Sequence, residues 1–260
     1  MADRKIIVNG DLATEEKFAD KMRELKGRGA IPTHRSGDTG IGKTLEDELG
    51  VEENSVQASD IEGVELKANR KGTSSKITLM TKSPEKRGVN NRVLRENYGV
   101  QTEESLKLNP KAKVLHTTVN GKGFNTLNGE PFMKLTSQGS KIYLEHATDG
   151  ILEEVYWEKE SLVKAQKKKF PEGKLYHVQA ETGVDENGIE TFCYTDASVL
   201  EGFSSDKLMK CIEDGDIEVD IRLGLYASGK QKGKKHDNGT AFRIAEGKLG
   251  KCFKEKRDLI

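Results

Sequence analysis

Residues 58–70 of this 260-residue chain, ASDIEGVELKANR, bring Asp60, Glu65 and Lys67 into one short segment. Two carboxylates and an ammonium in that order are the inventory of metal-dependent phosphodiester hydrolysis. A hard cation such as Mg²⁺ takes oxygen ligands, usually one or two carboxylates together with water and substrate phosphate. Asp60 and Glu65 could supply them, with the backbone carbonyl of Leu66 as a third ligand. Lys67 could then sit beside the bound water and the scissile phosphate, lowering the cost of forming hydroxide and a charged oxygen. The same D-x4-E-x-K pattern also describes a solvated face of an amphipathic strand, in a chain with 33% charged residues.

The elements that must position these groups can be read from periodicity. Val64, Leu66 and Ala68 alternate with Glu65, Lys67 and Asn69, the two-residue period of a strand, so Glu65 and Lys67 share a face. Asp60 stands at an odd separation from Glu65 and needs a bend to reach that face. Gly63 is the place for a bulge. A helix over about 43–50 carries Glu46, which could point back toward Asp60. Before it, KIIV (5–8) reads as a short strand and about 14–26 as a helix with Phe18, Met22 and Leu25 on one face. After it, ITLM reads as a strand closed by Pro84 that pairs with 64–69 through the KGTS turn. Residues 89–98 read as a helix whose Arg92 and Arg95 could face phosphates or simply solvent.

A second set of chemically useful side chains lies in residues 215–244, GDIEVDIRLGLYASGKQKGKKHDNGTAFRI. Ile217, Val219, Ile221 and Leu223 form an apolar face and leave Asp220 and Arg222 side by side on the other. A loop with Lys230, Lys232, Lys234 and Lys235 follows, and His236, Asp237, Asn238 and Arg243 lie on the return. The segment reads as a twisted hairpin with a basic tip and side chains of the types that read base edges, Arg for guanine, Asp for cytosine and Asn for adenine. The lysines suit phosphates. A solvated amphipathic hairpin has the same pattern.

Charge is balanced, with 43 basic and 43 acidic residues, but unevenly distributed. Residues 43–65 hold eight acids against Lys43, and 66–95 hold nine bases against Glu85, so an acidic site would adjoin a surface fit for a polyanion. Cys193, Cys211 and Cys252 are odd in number and lack a C-x-x-C pair, which fits reduced thiols better than disulfides or a zinc site. No apolar run has the length of a membrane span, and a soluble cytoplasmic protein is expected. From 113 to 157 the pattern is β, with a hairpin about Gln138-Gly139. A basic helix over about 158–170, strands at 174–181 and 189–195 and a helix to about 213 follow. A composition shift near 100–112 suggests two lobes, 1–105 with the acidic site and 106–260 with the hairpin.

One competing motif runs through residues 37–44. Gly37, Gly42, Lys43 and Thr44 fit G-x-x-x-x-G-K-[ST], the phosphate-cradling loop of nucleotide hydrolases. That loop is delivered by a buried apolar strand, and AIPTHRS is not one.

Taken together, GDTGIGKTLED, the D-x4-E-x-K strand with the following ITLMTKSP, and the 215–244 block resemble the MvaI/BcnI family of restriction endonucleases, its MvaI-like branch in particular, which are relatives of the MutH mismatch-repair nickase. The resemblance implies an α/β (α+β) protein with the PD-(D/E)xK nuclease fold, a mixed sheet flanked by helices, and a second lobe that reads DNA. It places Glu46, Asp60, Glu65 and Lys67 in the active site, with Mg²⁺ on Asp60, Glu65 and the Leu66 carbonyl. Asp220, Arg222, His236, Asp237 and Arg243 fall on the base-reading segment, with Lys230, Lys232 and Asn238 beside them. The implied protein is a monomeric type II restriction endonuclease that cuts double-stranded DNA at a short GC-rich site of the CCWGG kind, with a cognate DNA methyltransferase. Where the family's pattern has histidine this chain has Asn238, which bears on base preference. The alternatives are a repair nickase that needs partner proteins, a P-loop nucleotide hydrolase and a catalytically silent DNA-binding protein.

Overall fold

The computed structural model describes residues 12, 14–51 and 59–260, so the expected strand at 5–8 lies outside the described residues. In chain order the elements are α1 (Glu15–Arg28), β1 (Ile31–Pro32), α2 (Gly40–Leu49), β2 (Val64–Arg70), β3 (Lys76–Thr81), α3 (Arg87–Tyr98), α4 (Glu103–Leu108), β4 (Leu115–Val119), β5 (Thr126–Leu127) and β6 (Glu130–Pro131). They continue with β7 (Met133–Gln138), β8 (Lys141–His146), β9 (Gly150–Glu158), α5 (Lys159–Lys169), β10 (Lys174–Val184), β11 (Glu190–Glu201), α6 (Ser205–Glu213), β12 (Ile217–Leu225), β13 (Lys235–Asp237), β14 (Ala241–Ala245), α7 (Leu249–Cys252) and β15 (Glu255–Asp258). This is a mixed α+β chain. Among the described residues no helix is long and apolar enough to cross a membrane, and the three cysteines form no disulfide.

The chain makes two compact units that interleave in sequence: Met1–Ile77, Gln166–Lys207 and Glu246–Ile260 form one, Thr78–Ala165 and Leu208–Ala245 the other. A single cut at 105/106 does not describe them, because the strands that complete the first unit's sheet arrive from the second half of the chain.

In the first unit the strand order is β1-β11-β10-β2, with β15 also on β11. β2 runs parallel to β10, and the other pairs are antiparallel. The register sets Leu66 beside Tyr176 and Ala68 beside Val178. That apolar face is covered by α1 and α2 through Phe18, Met22, Leu25, Leu45 and Leu49, all buried. Phe18 stacks on Tyr176 with ring centroids 3.9 Å apart, and the Tyr194 hydroxyl donates to the Ile41 carbonyl at 2.8 Å, tying β11 to α2. The two-residue period then forces Glu65, Lys67 and Asn69 onto the opposite face.

The expected β2–β3 hairpin does not form. The 71–75 turn is present, with Thr73 Oγ1 donating to the Arg70 carbonyl at 3.0 Å, yet β2 pairs with β10 and β3 joins the order β13-β12-β14-β3. Turn chemistry brings two strands close but does not select their partners. Here seven residues of β2 find a matched buried register on a strand about a hundred residues away.

In the second unit β12 is central, paired with β13, β14 and β4. A separate sheet, β7-β8-β9, includes the hairpin expected about Gln138-Gly139, with Gly139 at φ 57°. Trp157 is buried on β9, where its indole N–H donates to the Lys82 carbonyl at 2.9 Å and its ring meets Phe242 edge-on. The 215–244 segment is therefore one strand with two short returns, broader than a hairpin.

His177 on β10 is 3% exposed and hydrogen-bonded to Asn69 Oδ1. Burial, helped by the Lys256 charge, pushes its pKa down from 6.5 to about 4. Below pH 6.5 the unfolded chain therefore takes up a proton that the folded chain refuses. The stability contributed by neutral His177 is complete above that pH and is lost as pH falls toward 4, by up to about 3 kcal/mol. Urea unfolding of His177→Gln between pH 7 and 4 should show a shallower loss by about that amount. Identical slopes for the two proteins would contradict the assignment.

Candidate active site and polar sheet face

The segment from Asp60 to Val64 reverses direction instead of bulging. Ile61 and Val64 exchange both backbone hydrogen bonds, at 3.0 and 2.9 Å, and Gly63 takes φ 76°. The Glu172 carboxylate lies 2.5 Å from where a Cβ would stand, so it would have to swing aside for any side chain at Gly63. The turn lays Asp60 back over the start of β2, where Asp60 Oδ2 accepts from the Leu66 N–H at 3.1 Å. The odd spacing of Asp60 and Glu65 is thereby resolved.

Glu65 is fully buried at its side chain and ion-paired through Oε1 to Lys67 Nζ. Lys67 Nζ also donates to the Leu66 carbonyl at 3.2 Å and lies 3.8 Å from Asp60 Oδ2. A second ammonium enters from the end of α5: Lys169 Nζ is 3.1 Å from Asp60 Oδ1 and 2.9 Å from Glu65 Oε2. The contact with Glu65 Oε2 is an ion pair and not a hydrogen bond, and among the described residues that buried oxygen has no hydrogen-bond donor. Glu46 on α2 adds negative charge within electrostatic reach of Lys67.

Burial pushes the Glu65 pKa up to about 7, and the Asp60 charge adds to the rise against the pull of Lys67 and Lys169. Burial works in the same direction on Asp60, but Lys67, Lys169 and the Leu66 N–H outweigh it and hold that carboxyl below its usual range. Burial would lower the Lys67 pKa, and Glu65 and Asp60 reverse this so that the ammonium is retained. The two carboxylates thus differ in basicity because they differ in burial and partners. Among the described residues no three His, Cys, Asp or Glu side chains gather as metal ligands. The oxygen set consists of two carboxylates and one carbonyl, a set that fits a hydrated hard cation, and the donor-less Glu65 Oε2 fits an acceptor made for one.

The structure therefore brings together Asp60, Glu65, the Leu66 carbonyl and Lys67, with Glu46 nearby. Lys169 is the group that sequence reasoning missed. It closes a lysine run at a helix end, 102 positions after Lys67, and nothing in its local pattern separates it from Lys167 or Lys168.

The glycine-rich stretch does not make a nucleotide loop. Thr44 is fully buried and its hydroxyl accepts from the His34 N–H at 2.9 Å, so it does not face a metal. Lys43 Nζ is 2.9 Å from Asp47 one helical turn on. The loop before α2 is held by Arg70, which donates to the Gly37 and Asp38 carbonyls and pairs with Glu190.

In the second unit, strand register places Asp220 opposite Thr118, Arg222 opposite His116, Glu218 opposite Arg243 and Gly224 opposite His236, all on one face. Asp220 accepts from Thr118 Oγ1 and from Arg243, each at 2.7 Å. Arg222 donates to the Gly239 and Asn238 carbonyls. His236 stacks on Tyr226 at 4.0 Å. Asp237 accepts from the Gly239 N–H and from Asn91 Nδ2. Asn238, Lys230 and Lys232 are exposed. Thr118 and His116 were not marked by the sequence, because a strand such as LHTTV does not say which strand it will adjoin, nor does helix α3 say that Asn91 will meet Asp237.

Arg92 is exposed but Arg95 is not. Arg95 is 4% exposed and its guanidinium donates to the carbonyls of Lys113, Gly224 and His236, clamping β12, β13 and the approach to β4 from beneath.

The sequence profile of the MvaI/BcnI restriction endonuclease family matches residues 19–253. Among solved structures, the chain is similar to "Restriction endonuclease MvaI-cognate DNA substrate complex", with 32% identity, a TM-score of 0.81 and coverage of 95% of this chain and 98% of that one. It is also similar to "Restriction endonuclease MvaI in the absence of DNA", with 33% identity, a TM-score of 0.54 and coverage of 93% and 96%. Among curated proteins no sequence relative was found.

Removing the Arg95 clamp would take a charged donor from three carbonyls and leave a buried gap beneath the sheet. Arg95→Met should destabilise the fold by at least about 2 kcal/mol in urea unfolding, with Arg95→Lys recovering part of the loss. A change below about 0.5 kcal/mol would show that the carbonyls have other donors.

Proposed function

Since the chain belongs to the MvaI/BcnI restriction endonuclease family and is a type II site-specific nuclease, we propose that it hydrolyses phosphodiester bonds of double-stranded DNA at the Asp60–Glu65–Lys67 cluster. The observation that carries this reading is the convergence of two carboxylates, a carbonyl and a lysine, with the Glu65 carboxylate fully buried among them. The cluster matches the PD-(D/E)xK site in the order of its residues, and we assign the first unit that catalytic role.

Asp60, Glu65 and the Leu66 carbonyl would hold Mg²⁺. Bound there, the ion would neutralise charge on the scissile phosphate and make an adjacent water more acidic. Glu65, whose burial makes it basic, takes its full charge when a cation faces it. Lys67, kept protonated between two carboxylates, presents an ammonium that can orient the attacking water and stabilise charge at the phosphate oxygen. Glu46 sustains that charge on Lys67. Water attacks phosphorus in line and the bond to the 3′ oxygen breaks, which leaves a 5′-phosphate on one product and a 3′-hydroxyl on the other.

The polar face of β12, β14, β4 and β13 in the second unit is assigned the base-reading role. Asp220, Arg222, His236 and Arg243 are held by neighbours on that face, Asp237 pairs with Leu223 on the other face and is held by Asn91 and the Gly239 N–H, and the exposed Lys230 and Lys232 suit the DNA backbone. A short GC-rich target of the CCWGG kind follows from the family, and Asn238 is where its base preference would diverge. We further assign a cytoplasmic monomer that acts on duplex DNA opposite a methyltransferase of the same specificity.

Two outcomes test the assignment. Asp60→Ala and Lys67→Ala should each lower cleavage of target DNA by at least about a hundredfold while gel-shift binding of the duplex persists; undiminished cleavage in either would remove that residue from the site. Arg222→Ala should cost roughly 1–3 kcal/mol of discrimination between target and scrambled duplex. An unchanged ratio would take Arg222 out of base reading.

A further inference from the structure

Lys169 is a charged group at the carboxylate pair to which the reading above gives no role. It reaches Asp60 Oδ1 at 3.1 Å and Glu65 Oε2 at 2.9 Å. The other oxygen of each carboxylate is already engaged: Asp60 Oδ2 by the Leu66 N–H, Glu65 Oε1 by Lys67. Lys169 thus bridges the two oxygens left over on the pair, which is the position a shared cation would take.

We propose that Lys169 is a placeholder cation, which bridges Asp60 and Glu65 while the site is metal-free and gives up both carboxylates when a divalent cation enters. The proposal rests on Asp60 and Glu65 being the metal ligands.

Charge balance supports it. Two lysines face the Asp60–Glu65 pair and offset the cost of burying Glu65, while Glu46 adds a further negative charge within reach of Lys67. A divalent ion added with both lysines in place would bring a third cation to two carboxylates whose oxygens are already engaged, and Lys169 is the lysine that occupies the position between them. Lys67 stands within β2 and also donates to the Leu66 carbonyl, whereas Lys169 is the last residue of α5 and reaches the pair from the helix end. Its side chain is 22% exposed, about as much as the 23% of Lys67, so the ammonium borders solvent.

The backbone beneath it stays put. The adjoining Phe170 is 1% exposed, its N–H donates to the Gln166 carbonyl at 2.7 Å and its ring packs edge-on against Phe203. Gln166 in turn donates to the Phe203 carbonyl at 2.8 Å. A side chain on a rigid base can exchange between carboxylates and solvent, or a phosphate oxygen, without any movement of the fold. Lysine suits this better than arginine, because a compact ammonium makes no bidentate fork that would compete permanently for the pair.

Titration calorimetry with Ca²⁺ and with Mn²⁺, in the absence of DNA, tests this on the whole chain. Lys169→Met should bind either ion at least about tenfold more tightly than wild type. It should melt at a lower temperature without metal, and the difference should shrink at saturating Ca²⁺ as the ion takes over the bridge. Lys169→Gln, which can hydrogen-bond to both carboxylates, serves the same purpose if the methionine variant does not fold. Equal or weaker ion binding in the lysine variants, with binding lost in Asp60→Asn, would overturn the placeholder role and leave the metal site standing. Ion binding unchanged in Asp60→Asn would overturn the ligand assignment and this proposal with it.

Discussion

A carboxylate removed from water must be compensated, and in this chain that demand falls on Glu65. Its strand is apolar on one face and packed under α1 and α2, so the alternation that buries Leu66 beside Tyr176 also drives Glu65 into the opposite side of the sheet. Two lysines and a tight turn are arranged around the result. Lys67 follows on the same face, Asp60 is folded back by the turn at Gly63, and Lys169 is brought from the far end of a helix that the intervening sequence delivers. Breaking any one partner leaves a buried charge exposed to its own desolvation cost, which is why the cluster behaves as a unit.

The same economy governs the second unit. β12 is shared by three neighbours, and its polar face is assembled from residues of four strands. Arg95 beneath that sheet spends its charge on backbone carbonyls, which fixes where the strand ends lie without using any side chain of the face itself. Asp220 and Arg243 satisfy each other, so groups able to meet base edges are held in defined positions.

What was legible in the sequence was local. The two-residue period of 64–69 and the helical repeat of Phe18, Met22 and Leu25 appear as expected, because each depends on covalent neighbours, and the bulge expected at Gly63 is a tight turn that serves the same end. What was not legible depends on partners distant in the chain. The parallel pairing of β2 with β10 displaced the expected hairpin with β3, and the arrival of the second-half strands made a linear cut at 105/106 the wrong division. Lys169 and His116 have no local mark of importance, and Arg95, read as a surface cation, turns inward because three carbonyls await it. The GDTGIGKT stretch carried a motif without its context, and the buried Thr44 hydroxyl marks the difference.

The central claim is sequence-specific DNA cleavage that needs a divalent cation and nothing else. Digestion of plasmid DNA with Mg²⁺ and no nucleotide, followed by sequencing of the fragment ends, tests it most directly. The account predicts discrete fragments whose ends share one short GC-rich sequence. Ends without a common sequence, or cleavage that appears only when ATP or another protein is added, would contradict it.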